Sequence, residues 1–144
     1  MVRKGGDLLL SRREKFQRLR SRGIEPFPNH YRRTHTIGEA VALFRSQEAK
    51  EGAQTRTSSV TLAGRIMALR GMGKATFLNI QDVSGQIQLH LRRDILADGY
   101  DLARDLDLGD FLGAQGPLFL THTGEVTLEA NQLTFLAKSM RPLP

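Results

Sequence analysis

A cysteine-free chain of 144 residues, 40% apolar and 25% charged, can bury one sizeable core and excludes a disulfide framework and a thiolate metal site. A net charge of +6 favours polyanionic partners. No apolar run nears the roughly 18 residues of a membrane span, and Leu8-Leu9-Leu10 is too short for a secretory signal, so a cytoplasmic setting is expected.

The basic excess is N-terminal. Residues 1–33 hold ten Lys/Arg against three Asp/Glu, a net +7; the remainder holds eleven against twelve, a net −1. Ser11-Arg12-Arg13-Glu14 reads as a capping box opening a helix to about Arg22, stopped by Gly23 and Pro26. Arg12, Arg13, Arg18 and Arg22 on that helix are candidates for phosphate contacts, with a merely solvated helix face as the competing reading. The proline-stiffened stretch Glu25 to Tyr31 leads to a second capping box, Thr36 to Glu39, and a helix through about Lys50. A polar loop, Glu51 to Ser59, follows.

Period-two alternation then predicts strands. The first runs from Val60 to Leu69, with Leu62, Gly64 and Ile66 inward and Arg65 and Met67 outward. A flexible loop, Gly71 to Lys74, separates it from the second, Thr76 to Gln81. The turn Asp82-Val83-Ser84-Gly85, with Gly85 expected at positive φ, leads to the third, Gln86 to Arg92. Leu78, Ile80, Ile87, Leu89 and Leu91 then share the buried face. Phe77, Asn79, Gln88 and His90 stand on the other. A flat ring beside amide side chains suits the stacking and hydrogen bonding of an unpaired base; a Phe covered by a loop or a partner is the bland alternative. Asp94 to Leu106 lacks alternation and reads as a helix, and the acid-rich stretch Asp98 to Asp110 reads as a solvated helix face without a paired general acid and base. The fourth strand, Phe111 to Leu120, contains Pro117, the mark of an edge or bulge. The turn Thr121 to Gly124 leads to the fifth, Glu125 to Ala130, which Leu133 to Ala137 extends after a kink.

The fold class this order predicts is mainly β with flanking helices: a five-stranded Greek-key OB-fold barrel preceded by N-terminal helices. Residues 1–58 form the basic helical extension, residues 59–138 the barrel, and residues 139–144 the start of a linker. The outer face of strands one to three is the usual ligand platform of this fold, and Arg65, Phe77 and Gln88 fall on it. The histidines are scattered, with no metal-ligand spacing, and read mostly as surface residues. Gly71-Met72-Gly73-Lys74 lacks the Walker spacing. No constellation for catalysis is visible.

The stretches Arg22-Gly23-Ile24-Glu25-Pro26-Phe27-Pro28, Ala63-Gly64-Arg65-Ile66-Met67, Gly73-Lys74-Ala75-Thr76-Phe77, Gly85-Gln86-Ile87-Gln88-Leu89, Leu108-Gly109-Asp110 and Arg141-Pro142-Leu143-Pro144 occur in order. With them the chain closely resembles the N-terminal anticodon-binding domain of class II lysyl-tRNA synthetases, from about Arg13 onward. The resemblance implies binding of the uridine-rich lysine anticodon. Phe77 would stack the middle base, Gln88 would contact the same base, Arg65 would face the anticodon bases, and Glu125 would read a flanking base. In the family, Arg-Pro-Leu-Pro leads into a catalytic domain that binds ATP, lysine and the acceptor end. This chain stops there, as an excised domain or a free-standing paralogue. The resemblance therefore implies lysine tRNA as partner, no catalysis by this chain alone and no cofactor of its own, ATP and Mg belonging to the absent domain. A generic single-stranded RNA or DNA module and a protein-interaction domain are the alternatives.

Overall fold

The computed structural model describes residues 31–139; the expected helix from Ser11 to Arg22 lies outside them. The first described element, α1 (Ile37–Glu51), starts on the expected capping box. Thr36 Oγ1 accepts from the Glu39 amide at 3.1 Å and Glu39 Oε1 accepts from the Thr36 amide at 2.8 Å. Ile37, Ala40 and Phe44, spaced along one stripe, are buried.

Three antiparallel strands follow: β1 (Val60–Met72), β2 (Ala75–Asp82) and β3 (Gly85–Arg92). Their inward residues, among them Leu62, Ile66, Leu78, Ile80 and Leu89, are almost or fully buried, as alternation predicts. Each such burial contributes about 1.5–3 kcal/mol. A bulge between Ile66 and Ala68 lets β1 serve two partners. Residues 60–65 pair with β4 (Phe111–Gly116) and residues 65–72 with β2. After β5 (Leu118–Leu120), β6 (Val126–Glu129) pairs parallel to β3, and β7 (Gln132–Ala137) pairs with β4.

Several expectations are corrected. The sheet has seven strands, in the order β5-β6-β3-β2-β1-β4-β7, not five. Pro117 has no N–H to give the ladder and divides the expected fourth strand into β4 and β5. The kink is tight: a Cβ on Gly116 would lie 1.9 Å from the Glu129 carbonyl oxygen. The kink expected after the fifth strand falls between Glu129 and Gln132 and separates β6 from β7. The helix expected over Asp94 to Leu106 is three short pieces: α2 (Arg93–Leu96), a 3-10 turn (Ala97–Gly99) and α3 (Tyr100–Ala103). Ala97 sits at φ +50, where an α-helix cannot continue. The Gly71–Lys74 loop is a tight turn, because the strands run on to Met72 and from Ala75, and Gly73 takes φ +60.

Gly85 is not among the positive-φ residues of the described chain; its turn is built by Asp82 instead. Oδ1 accepts from the Ser84 amide at 2.7 Å and the Gly85 amide at 3.1 Å. Oδ2 accepts from the Ile37 amide at 2.9 Å and so docks the start of α1 on the β2–β3 turn. Burial pushes the Asp82 carboxyl up, but these hydrogen bonds together hold it below its ordinary value.

Of the acids read as a solvated helix face, Asp98 and Asp101 are exposed, but the last ones are not. Asp110 is fully buried and Asp105 nearly so. Lys138 Nζ, on a side chain only 1% exposed, donates to Asp110 Oδ2 at 2.7 Å, Asp107 Oδ2 at 3.0 Å and the Asp105 carbonyl at 3.0 Å. Asp110 also accepts from the amides of Asp107 and Ser139.

Candidate nucleic-acid interface

Pairing registers turn the outward residues of β1, β2, β3 and β6 into three cross-strand rows. Arg70, Phe77, His90 and Glu129 form one, and Ala68, Asn79, Gln88 and Thr127 the next. Arg65, Gln81 and Gln86 form the third. The structure therefore brings Arg65, Phe77 and Gln88 onto one face, one in each row.

In the first row, the Phe77 and His90 rings stack with centroids 4.5 Å apart and an interplanar angle of 6°. Phe77 stands between His90 on one side and Arg70 on the other, whose guanidinium carbon lies 5.9 Å from the ring centroid. Phe77 is half-buried, not fully exposed, because these neighbours cover its flanks. His90 is not a surface histidine. Phe119 tilts against it at 6.4 Å, and its Nδ1 is buried without a hydrogen bond. Burial pushes its pKa below the ordinary value; Glu129, 4.0 Å away, opposes this, and Arg92 adds to it. Glu129 is itself bound by Arg56, and Arg92 lies 3.9 Å from it.

In the second row, Gln88 Nε2 donates to Thr127 Oγ1 at 3.1 Å. Thr127 is fully buried and donates in turn to the Glu125 carbonyl at 3.2 Å. That bond holds the donor end of the Gln88 amide against the buried Thr127. Beside it, Asn79 Oδ1 is buried without a partner.

In the third row, Arg65 Nε donates to the Gly109 carbonyl at 3.2 Å, and its guanidinium carbon lies 5.8 Å from the Phe111 ring centroid. Glu125 is exposed in the β5–β6 turn. It borders a recess of about 450 Å³ shared with Asn79, Gln86 and Arg45, so the tertiary fold brings it to the edge of the same face.

Sequence reasoning missed Arg70, the Phe77–His90 stack and the buried Lys138 ammonium. The first two were accessible: counting outward from the two-residue turns at Gly73-Lys74 and Val83-Ser84 sets Phe77 opposite both Arg70 and His90. Lys138 carried no local signal. Arg12, Arg13, Arg18 and Arg22 lie outside the described residues. Among the described residues, no group of three or more His, Asp or Glu could hold a metal ion.

The family described as OB-fold nucleic acid binding domain matches residues 60–136, from the start of β1 almost to the end of β7. Curated relatives include the lysine–tRNA ligases of Bacillus cytotoxicus and Bacillus cereus, each 45% identical over 139 residues, and that of Bacillus anthracis, 44% identical. The match covers 96% of this chain and 28% of the relative's length in each case.

Proposed function

The chain belongs to the family of OB-fold nucleic acid binding domains, and we propose that it binds the uridine-rich anticodon of lysine tRNA on the outer face of β1, β2 and β3. Residues 59–138 are the binding module and residues 1–58 a basic extension that adds phosphate contacts through Arg12, Arg13, Arg18 and Arg22. In this reading the seven strands act as five bent ones curled into a barrel, β4 continuing into β5 and β6 into β7. Hydrogen bonds across the kinks support it: the Asn131 amide to the Gln115 carbonyl at 2.8 Å and the Glu129 amide to the Pro117 carbonyl at 2.9 Å. Similarity to lysine–tRNA ligases supports lysine tRNA as the partner.

The observation that carries the proposal is the first row. Phe77 is braced on one face by the parallel His90 ring, next to an amide whose donor end is already held by Thr127, so a base stacks on the face that Arg70 covers. A braced ring loses little freedom when a base stacks on it, and stacking contributes about 1–3 kcal/mol per base. Gln88 then reads that base by its free oxygen. Arg65, tied to Gly109, faces the bases, and Glu125 reads a flanking one. Arg70, exposed and long, moves from the ring to a phosphate when the base arrives.

Titration of a lysine anticodon stem-loop against the protein and its Phe77→Ala variant tests this. The expected result is a loss of about five- to a hundred-fold in affinity at unchanged melting temperature. Equal affinity in a folded variant would remove the assignment of this face.

A further inference from the structure

At the far end of the outer face lies a second exposed aromatic. Phe111, the first residue of β4, is 43% exposed; Met67, at the β1 bulge, is 40% exposed, and Val83 stands fully out. With Arg65, Gln81 and Asp82 they line an open recess of about 350 Å³.

We propose that Phe111 is a second base-stacking platform, which takes a nucleobase about two to four nucleotides along the strand from the one held on Phe77. This rests on the reading of the outer face as the anticodon-binding surface. The recess is continuous with that surface, because Arg65 is the register partner of Gln81 on β2 and of Phe111 on β4. Gln81 lies four residues along the same face from Phe77, about 13 Å at 3.3 Å per residue. A single strand of about four stacked nucleotides covers that distance, and a more extended one needs fewer.

The chemistry of the lining selects a base over a phosphate. The Asp82 carboxylate borders the recess with both oxygens taken by backbone amides and Arg33 3.7 Å away, so it puts an acid, not a free cation, at that edge. A flat phenyl face and the polarisable Met67 thioether suit a heterocycle. Arg65 spends its Nε on Gly109 and lies over the ring, so it enters the complex already oriented. Its outer nitrogens are the donors it offers a base edge.

The chain contains no tryptophan, so Phe111→Trp installs a lone reporter at the platform. Titration with a lysine anticodon stem-loop is expected to quench it with the midpoint seen by anisotropy of the labelled RNA. Phe111→Ala is expected to bind the intact stem-loop about five- to a hundred-fold more weakly. In an abasic scan of the loop, that penalty should vanish at one position, different from the position that cancels the Phe77→Ala penalty. If Phe111→Ala binds as wild type while Phe77→Ala is weakened, the second platform is overturned and the anticodon reading stands. If Phe77→Ala also binds as wild type, the anticodon reading itself fails. A Phe111→Ala penalty that is equal for every abasic loop, or an unquenched Trp, also overturns the platform.

Discussion

Two side chains of the outer face have environments that dictate separate experiments. Gln88 is held by one hydrogen bond from Nε2 to the buried Thr127, and the proposed reading gives its amide oxygen to a base edge. Gln88→Ala is expected to narrow the ratio of cognate to non-cognate stem-loop affinity by a factor of ten or more while lowering non-cognate binding little, since a base-edge contact is worth about 1–3 kcal/mol. Equal losses on both RNAs would assign Gln88 to packing. His90 is held below its ordinary pKa by burial, so the stacked imidazole is neutral at pH 7. A histidine depressed in the fold contributes stability that is complete above its unfolded value near 6.5 and is lost as pH falls from there toward the folded value. Urea midpoints of the wild type should therefore drop between pH 7 and pH 5. His90→Phe keeps a flat ring against Phe77 and removes the proton, and its midpoint should drop less; the same drop in both would trace it to another group. Asp82 and Glu39 are also depressed, but as carboxylates they destabilise the fold only at lower pH, below about 4.

Among the elements, the junction between the α3–β4 connection and the end of β7 holds the deepest charges. Lys138 and Asp110 form a buried pair with good geometry, satisfied further by the amides of Asp107 and Ser139. Such a pair contributes little net stability compared with apolar residues, but removing one partner strands the other charge away from water. Asp110→Ala should lower the unfolding free energy by about 3–5 kcal/mol, read from urea denaturation. A loss below 1 kcal/mol would mean that Asp107, 3.0 Å from Lys138 Nζ, suffices to hold the ammonium once Asp110 is gone. Because the same turn presents the Gly109 carbonyl to Arg65, the junction also anchors one edge of the binding face. The strands β4 and β5 illustrate a different constraint. Pro117 was legible as a break, but its consequence, a backbone approach so close that only glycine fits at 116, belongs to the paired strand.

At the scale of the whole molecule, the charge is unevenly placed along the chain. Residues 1–33 carry a net +7 and the rest a net −1. Each phosphate neutralised on a single strand contributes about 0.7 to the log–log salt slope. Removing residues 1–22 should flatten that slope by at least 2 and weaken all tRNAs alike, leaving the preference for the lysine anticodon. An unchanged slope in a folded truncated protein would assign the basic residues to packing or solvent. The sequence by itself determined the strands of the meander and which of their side chains face outward. It also determined the capping box of α1 and, through its ordered motifs, the family. Period-two alternation, caps and turns are local, so neighbouring residues carry them. It did not determine the seven-strand division, the broken connection at Ala97, the buried Lys138–Asp110 pair or the meeting of Arg65 with Phe111. The last two join residues 28 and 46 positions apart in the chain. Only the order of the strands in the sheet, with a bulge at Met67 that divides β1 between two partners, brings such residues together.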